Sequence, residues 1–212
     1  MKPSNIQVDP FRDFLEAIVS GDSARAIRLL DASPLLAKER AAHGATRQEA
    51  KQNFFEQIMH YVYEGDTALH IAAAAYQPHI AEELIARGAD VHARNRRGAE
   101  PLHYAADGGP GLPAWNPRGQ TEIIARLIQA GADPNAVDKS GVAPLHRAVR
   151  NRCAAAVRAL IHAGADPRAP NRNGSTPLLL ATQNTGRGSS GSTEAKAQQQ
   201  DILRLLTEHG AT

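Results

Sequence analysis

Apolar residues recur along the chain at helical spacing, in pairs of short segments separated by turns. In "HIAEELIAR", residues 79–87, Ile80, Leu84 and Ile85 fall on one helical face. A shorter apolar segment, "ALHIAAAA" at residues 68–75, precedes it, and Gly88 follows it where a left-handed helix cap is expected. The pattern predicts units of two helices joined by a turn. Such a unit cannot bury its apolar faces alone, so neighbouring units must stack.

Two short blocks recur in a fixed order. The opening blocks are "GDTALHIAAAA", "GAEPLHYAADG", "GVAPLHRAVRN" and "GSTPLLLATQN", and they begin at Gly65, Gly98, Gly141 and Gly174. From Gly65 to Gly98 is 33 residues, and from Gly141 to Gly174 is again 33. The closing blocks include "RGADVHA", "AGADPNA" and "AGADPRA". A period of this length indicates a repeat architecture.

The period and the blocks "TALHIA", "EPLHYA", "APLHRA" and "TPLLLA" resemble the ankyrin repeat. The resemblance implies an all-α solenoid of stacked helix-turn-helix units with β-turn fingers, in a single domain over residues 1–212. We expect an N-terminal capping unit at 9–31, repeats at 63–95, 96–138 and 139–171, and a C-terminal capping unit at 172–212. Asp9 is expected to cap the first helix, with Pro10 at its first position.

Three segments exceed the period, at residues 32–62, 107–119 and 183–198. In the first, Thr46 and Glu49 have the spacing of a capping box, which predicts an extra helix within an elongated finger. That finger either packs on the first unit as scaffold or contacts a partner. The third segment is rich in Gly, Ser and Gln and is expected to be a flexible loop.

The second insertion carries the chain's one tryptophan, Trp115. Prolines at 110, 113 and 117 restrict its backbone, so we expect a definite conformation. Trp115 either folds back over the helix ends as a local plug or anchors a partner, because tryptophan is over-represented among interface hot spots.

Composition narrows the function classes. The chain is 42% hydrophobic but only 4% aromatic, which argues against a large aromatic-lined cofactor pocket. A net charge of +2 does not single out nucleic acid or a membrane as the partner. One cysteine, Cys153, cannot form an internal disulfide, and there is no apolar run of membrane-spanning length. We expect a cytoplasmic monomer.

The chemical motifs have structural explanations. "GRGSSG" at 186–191 matches a dinucleotide fingerprint but lacks the βαβ context that the fingerprint requires. Each unit's own histidine, at His70, His103 and His146, is expected to hydrogen-bond backbone and link neighbouring units. The spacing of the other histidines we considered, His60, His79, His92, His162 and His209, is not that of paired metal ligands. We therefore expect no cofactor, no metal and no catalytic residue.

In ankyrin-repeat proteins, recognition generally uses the finger tips and the exposed side of the first helix. The fingers of units three to five are basic here and the first finger is acidic, so we hypothesise that the concave face binds an acidic protein surface. Solvated fingers without a partner preference are the alternative. The candidate contact residues are Tyr63, Glu64, Asp66, Arg94, Arg96, Arg97, Trp115, Lys139, Arg150, Asn151, Arg172 and Asn173.

The expected function is a non-catalytic interaction scaffold or adaptor. An inhibitor or immunity-type protein that occludes a partner enzyme is the alternative. An enzyme would need a deep pocket with convergent histidines or carboxylates near Trp115 and the 183–198 loop, for which the insertions offer Asp107 and Glu194. A nucleic-acid binder would need a continuous basic stripe with aromatics, and the fingers supply only Tyr63.

Overall fold

The structure is a computed structural model that describes residues 9–46, 48–183 and 191–211. Within them the chain forms ten α-helices that pair into five units, so the predicted all-α solenoid is confirmed. The helices are α1 (Pro10–Val19), α2 (Ser23–Ala32), α3 (Ala68–Ala74), α4 (Pro78–Ala86), α5 (Pro101–Ala105), α6 (Pro117–Gln129), α7 (Pro144–Arg150), α8 (Ala154–His162), α9 (Pro177–Thr182) and α10 (Thr193–Glu208).

The helices pack in two rows. The first helices of the units, α1, α3, α5, α7 and α9, contact one another in order, and so do the second helices. Leucines at the same place in successive first helices, Leu69, Leu102 and Leu145, are fully buried. Each such burial contributes about 1.5–3 kcal/mol to the free energy of unfolding. We call the side formed by the first helices and the finger turns the inner face.

The repeat histidines lie where the sequence predicts, at the start of α3, α5 and α7. His70 Nδ1 accepts a hydrogen bond from Thr67 N at 3.1 Å, and its Nε2 lies 3.0 Å from the carbonyl of Ala99 in the next unit. His103 makes the equivalent contact with Val142 O at 3.0 Å. These two histidines therefore link neighbouring units, as expected. His146 accepts from Ala143 N at 3.2 Å, but its Nε2 has no hydrogen-bond partner among the described residues, so the predicted link is wrong there.

The helix ends follow the sequence signals. Asp9 caps α1 by accepting a hydrogen bond from Phe11 N at 3.0 Å. Gly88, which follows α4, has φ of 83°, which a residue with a Cβ adopts only at a cost. The predicted caps are therefore confirmed at these positions.

The extra helix predicted in the first insertion is wrong. That segment holds a 3₁₀ turn at Lys51–Asn53 and a hairpin of β1 (Phe54–Phe55) and β2 (His60–Tyr61) around a second 3₁₀ turn at Glu56–Ile58. The Thr46 hydroxyl accepts hydrogen bonds from the N–H groups of Gln48 and Glu49, so it closes a turn rather than starting a helix.

Strands of two residues are not stable alone. Contacts with neighbouring segments hold this hairpin in place. Val62, the residue after β2, donates from its N–H to Asn53 O and accepts at its carbonyl from Ala45 N, both at 2.7 Å. Phe55 is buried, and the Arg12 guanidinium of α1 lies 4.3 Å from the centre of its ring. We call residues 54–61 the hairpin.

Helices extend into the other two insertions. The second is a loop from Asp107 to Asn116, whose side chain caps α6 by accepting from Gly119 N at 3.0 Å. In the third, Ser192 caps α10, so residues 193–198 are helical rather than loop. Residues 184–190, with most of "GRGSSG", lie outside the described residues.

Candidate functional site

The finger turns stack along the inner face through backbone hydrogen bonds. Arg96 N donates to Glu64 O at 2.8 Å, Lys139 N to Arg97 O at 2.9 Å, and Arg172 N to Ser140 O at 3.1 Å. Equivalent residues of successive fingers therefore lie beside one another. The alignment brings Arg96, Lys139 and Arg172 into one row, which we call the basic row.

A buried Asn or Asp at the base of three fingers fixes their conformation. Asn95 Oδ1 accepts hydrogen bonds from the N–H groups of Arg97 and Ala99, at 2.9 and 3.1 Å. Asp138 and Asn171 do the same in their own fingers. As a result, every second finger residue points to the same side, and these residues line a cavity.

This polar cavity has a volume of about 400 Å³ and lies between the fingers, the ends of α5 and α7, and the hairpin. We call it the main cavity. Its lining is mostly polar and comprises Met59, His60, Tyr61, Tyr63, Asn95, Arg97, Ala99, Tyr104, Asp107, Asp138, Ser140, Val142, Arg147, Arg150, Asn151, Asn171 and Asn173.

An ion-pair triad forms one wall of the main cavity. The Arg147 guanidinium donates to Asp107 Oδ2 at 2.7 Å and to Asp138 Oδ2 at 3.3 Å, with its side chain only 14% exposed. Burial acts to raise the pKa of the Asp107 carboxyl, but Arg147 and His60 beside it hold that pKa well below its usual value. Asp107 is therefore a carboxylate throughout the physiological pH range.

The hairpin reaches this wall through His60. His60 Nε2 lies 3.4 Å from Asp107 Oδ2, and its Nδ1 lies 2.8 Å from the carbonyl of Tyr61. The imidazole also packs on the Tyr104 ring, with 4.4 Å between the ring centres. Both ring nitrogens of His60 thus face oxygen acceptors.

Behind this wall, Asp66 is wholly buried. The Tyr104 hydroxyl donates to its carboxylate at 2.9 Å, Asn95 Nδ2 donates at 2.8 Å, and the Tyr63 N–H at 2.7 Å. The expectation that Asp66 is an exposed finger residue is therefore wrong, because the carboxylate satisfies donors inside the fold.

A smaller cavity of about 190 Å³ adjoins the main one and shares Met59, His60, Asp107 and Asn151 with it. Trp115 lines this second cavity together with Ile58 and Leu112. Its indole is half-buried against the core and donates to Gln120 Oε1 at 3.2 Å. Trp115 thus packs against its own unit.

Apart from Asp66 and Trp115, the candidate contact residues fall into three groups. Tyr63, Arg97, Arg150, Asn151 and Asn173 line the main cavity. Two arginines have structural partners: Arg94 pairs with Glu100 at 3.0 Å, and Arg96 donates to the carbonyl of Ala45. Exposed finger residues outside the cavity lining are Glu64, Lys139 and Arg172.

Sequence reasoning missed His60, Tyr104, Asp107 and Arg147 as a cluster. One signal was present: the residue after the repeat histidine is Ile71 or Tyr104 in two units but Arg147 in the fourth, which is unusual for a position facing the stack. Nothing in the sequence links Arg147 to the hairpin, because they meet only when the units stack.

The cluster is better suited to binding than to proton transfer. Asp107 forms an ion pair with Arg147, and its lowered pKa makes it a weak base. Burial raises the pKa of the Cys153 thiol, whose Sγ donates to Gln120 Oε1 at 2.9 Å. Among the described residues, no three His, Cys, Asp or Glu side chains converge as metal ligands.

No helix in the described part of the chain combines the length and apolarity needed to cross a membrane. No curated protein compared with this chain matches it significantly. A family model described as ankyrin repeats (3 copies) matches residues 34–111 and 114–212. The repeat blocks, the stacked helix pairs and this match agree, and the chain belongs to the ankyrin-repeat family.

Proposed function

We propose that this protein is a non-catalytic adaptor that binds an acidic surface of another protein through the basic row of its fingers. Ankyrin repeats are generally protein–protein interaction modules. The observation that carries the proposal is the alignment of Arg96, Lys139 and Arg172 by the backbone hydrogen bonds between fingers.

Two cations of the basic row are available for a partner. Lys139 and Arg172 are exposed, and neither side chain has an ion pair or hydrogen bond to a described residue. Arg96 contributes charge at the end of the row while it donates to Ala45 O. Aligned cations raise the local concentration of an acidic partner and speed its association, in a salt-dependent way.

Affinity capture with a charge-reversed variant tests this proposal. The bait carries Lys139→Glu and Arg172→Glu, and the control bait carries Arg118→Glu and Arg158→Glu, two exposed arginines on second helices. Wild type and the control bait should capture the same acidic proteins at low salt. The variant with Lys139→Glu and Arg172→Glu, which we call the row variant, should no longer capture them. Circular dichroism checks that all baits are folded.

The proposal also requires salt dependence. Raising the salt from about 50 to 300 mM shortens the range of electrostatic attraction and should release the captured proteins. If the row variant captures the same proteins as wild type at low salt, the basic row is not the binding surface.

An inhibitor that occludes a partner enzyme would use the same binding surface. It differs only in what the partner does, so activity assays on a captured enzyme, with and without the adaptor, distinguish the two roles.

A further inference from the structure

The main cavity has features that protein binding by the basic row does not use. Its volume of about 400 Å³ falls within the range of small-molecule sites, about 300–1,000 Å³. Such sites are usually apolar, whereas this lining is dominated by charged, amide and hydroxyl side chains. A ligand that fits it must itself be hydrophilic.

The charges of the lining define the ligand's charge. Three arginines and two aspartates line the main cavity, so these five side chains carry a formal charge of 3 − 2 = +1. Both aspartates are bonded to Arg147 and present their negative charge to the same space. A single negative charge on the ligand is therefore compensated, whereas a dianion such as phosphate faces two carboxylates.

Arg97 is the cation best placed to receive that charge. Arg97 is exposed, and one of its nitrogens, Nη1, donates to the Tyr63 hydroxyl at 3.0 Å. The Tyr63 ring lies 5.0 Å from the guanidinium carbon and fixes the orientation of the group. A guanidinium held in this way presents its remaining N–H groups to a carboxylate, which it can bind with two hydrogen bonds.

Neutral polar groups stand on the neighbouring fingers. Asn171 Oδ1 is occupied by two backbone N–H donors, which leaves its Nδ2 as a donor. Ser140 and Asn173 occupy the same position in their fingers as Arg97 and also line the main cavity. Amide and hydroxyl groups in such a row match ligand hydroxyls, which both donate and accept.

We propose that the main cavity is a binding site for a small hydroxylated monocarboxylate, of the sugar-acid class. Its carboxylate binds Arg97, and its hydroxyl groups bind Ser140, Asn171 and Asn173. The hairpin and the Asp107 loop close the site, so the two insertions give this chain a small-molecule site beside its fingers. The site is independent of the partner proposed above.

The test is a titration of ¹⁵N-labelled full-length protein followed by two-dimensional NMR. The probes are D-gluconate and D-glucuronate, with D-glucose as the neutral analogue and inorganic phosphate as the dianion. Both acids should give saturable shifts at millimolar concentration in the amides of residues 95–99, 138–142 and 171–173. Glucose should bind at least tenfold more weakly, because it lacks the carboxylate.

Variants test the assigned contacts. Arg97→Gln should raise the Kd for gluconate at least tenfold, Asn173→Ala a few-fold, and the exposed control Arg118→Gln should leave it unchanged. If Arg97→Gln does not fold, the Kd of Asn173→Ala for gluconate still tests the site. The proposal is overturned if neither acid gives saturable shifts, if glucose or phosphate binds as tightly as gluconate, or if both cavity variants bind like wild type.

Binding of the acids can succeed or fail whatever the capture experiment shows. The capture variants change Lys139 and Arg172, which do not line the main cavity. A failure of one proposal therefore leaves the other standing.

Discussion

The imidazole of His60 lies 3.4 Å from the carboxylate of Asp107, and this contact joins the first insertion to the second. The same carboxylate accepts from Arg147 of α7 at 2.7 Å and from Asn151 Nδ2 at 3.3 Å. Asp107 therefore connects its own loop to the hairpin through His60 and to the fourth unit through Arg147 and Asn151. The main cavity therefore depends on this junction as well as on the regular fingers.

Asp107→Asn should lower the free energy of unfolding by about 2–4 kcal/mol, because it leaves the largely buried Arg147 with a single carboxylate partner. Urea denaturation followed by circular dichroism measures the change. The control is Asp201→Asn, which removes an exposed pair with Arg204 on α10 and should cost less than about 0.5 kcal/mol. A loss no larger than the control's would mean that the triad does not stabilise the fold.

The repeat histidines should make the protein less stable in mild acid. Burial, with Arg147 nearby, lowers the pKa of His103 to about 4, and burial also lowers the pKa of His70 and His146. An unfolded histidine titrates near pH 6.5, so between about pH 6.5 and 4 the unfolded state binds more protons. Stability is therefore lost as the pH falls through this window, by up to about 3 kcal/mol for His103 alone.

Urea midpoints measured from pH 7 to pH 4.5 check this expectation. The matched variant is His103→Gln, which keeps a hydrogen-bond donor but has no proton to gain. It should be less stable than wild type at pH 7 and lose less stability on acidification. An equal slope for both proteins would contradict the assignment. The Asp107 carboxyl, with its lowered pKa, contributes stability that is lost only at still lower pH.

Trp115 should contribute to stability as a plug. Trp115→Ala removes a half-buried ring and its hydrogen bond to Gln120, and should cost about 1–3 kcal/mol. Trp115→Phe keeps most of the apolar area and should cost clearly less. Chemical denaturation of both variants measures the difference. If Trp115→Ala unfolds at the wild-type denaturant concentration, the ring does not stabilise the loop.

The solenoid could be predicted because each unit repeats the same local signals. His70 and His103, for example, make the same contacts at equivalent places. The opening block occurs four times, so the same local signal constrains the fold at four places. The insertions lack such repetition. Phe54, Ile58 and Tyr61 have helical spacing, but in so short a segment the neighbouring aromatic residues fit a strand equally well.

The main cavity could be predicted only in part, for a similar reason. The fingers are periodic, and Arg97 and Asn173 were found from their positions. Asp107 and Arg147 are 40 residues apart and belong to different units, so only the stacking brings them together. Asp66 looks like a finger tip in the sequence because its burial depends on Asn95, 29 residues later, and on Tyr104 of the next unit.

Met59, at the turn of the hairpin, has φ of 50°, a left-handed conformation that costs most residues with a Cβ about 1–2 kcal/mol. Asparagine tolerates this conformation, and the Met59 side chain is half-exposed, so little apolar burial is lost. Met59→Asn should therefore stabilise the protein by about 0.5 kcal/mol. Met59→Ala is the matched control, since alanine loses the same side chain without gaining this tolerance. A urea midpoint for Met59→Asn at or below that of Met59→Ala would contradict a left-handed turn at the hairpin.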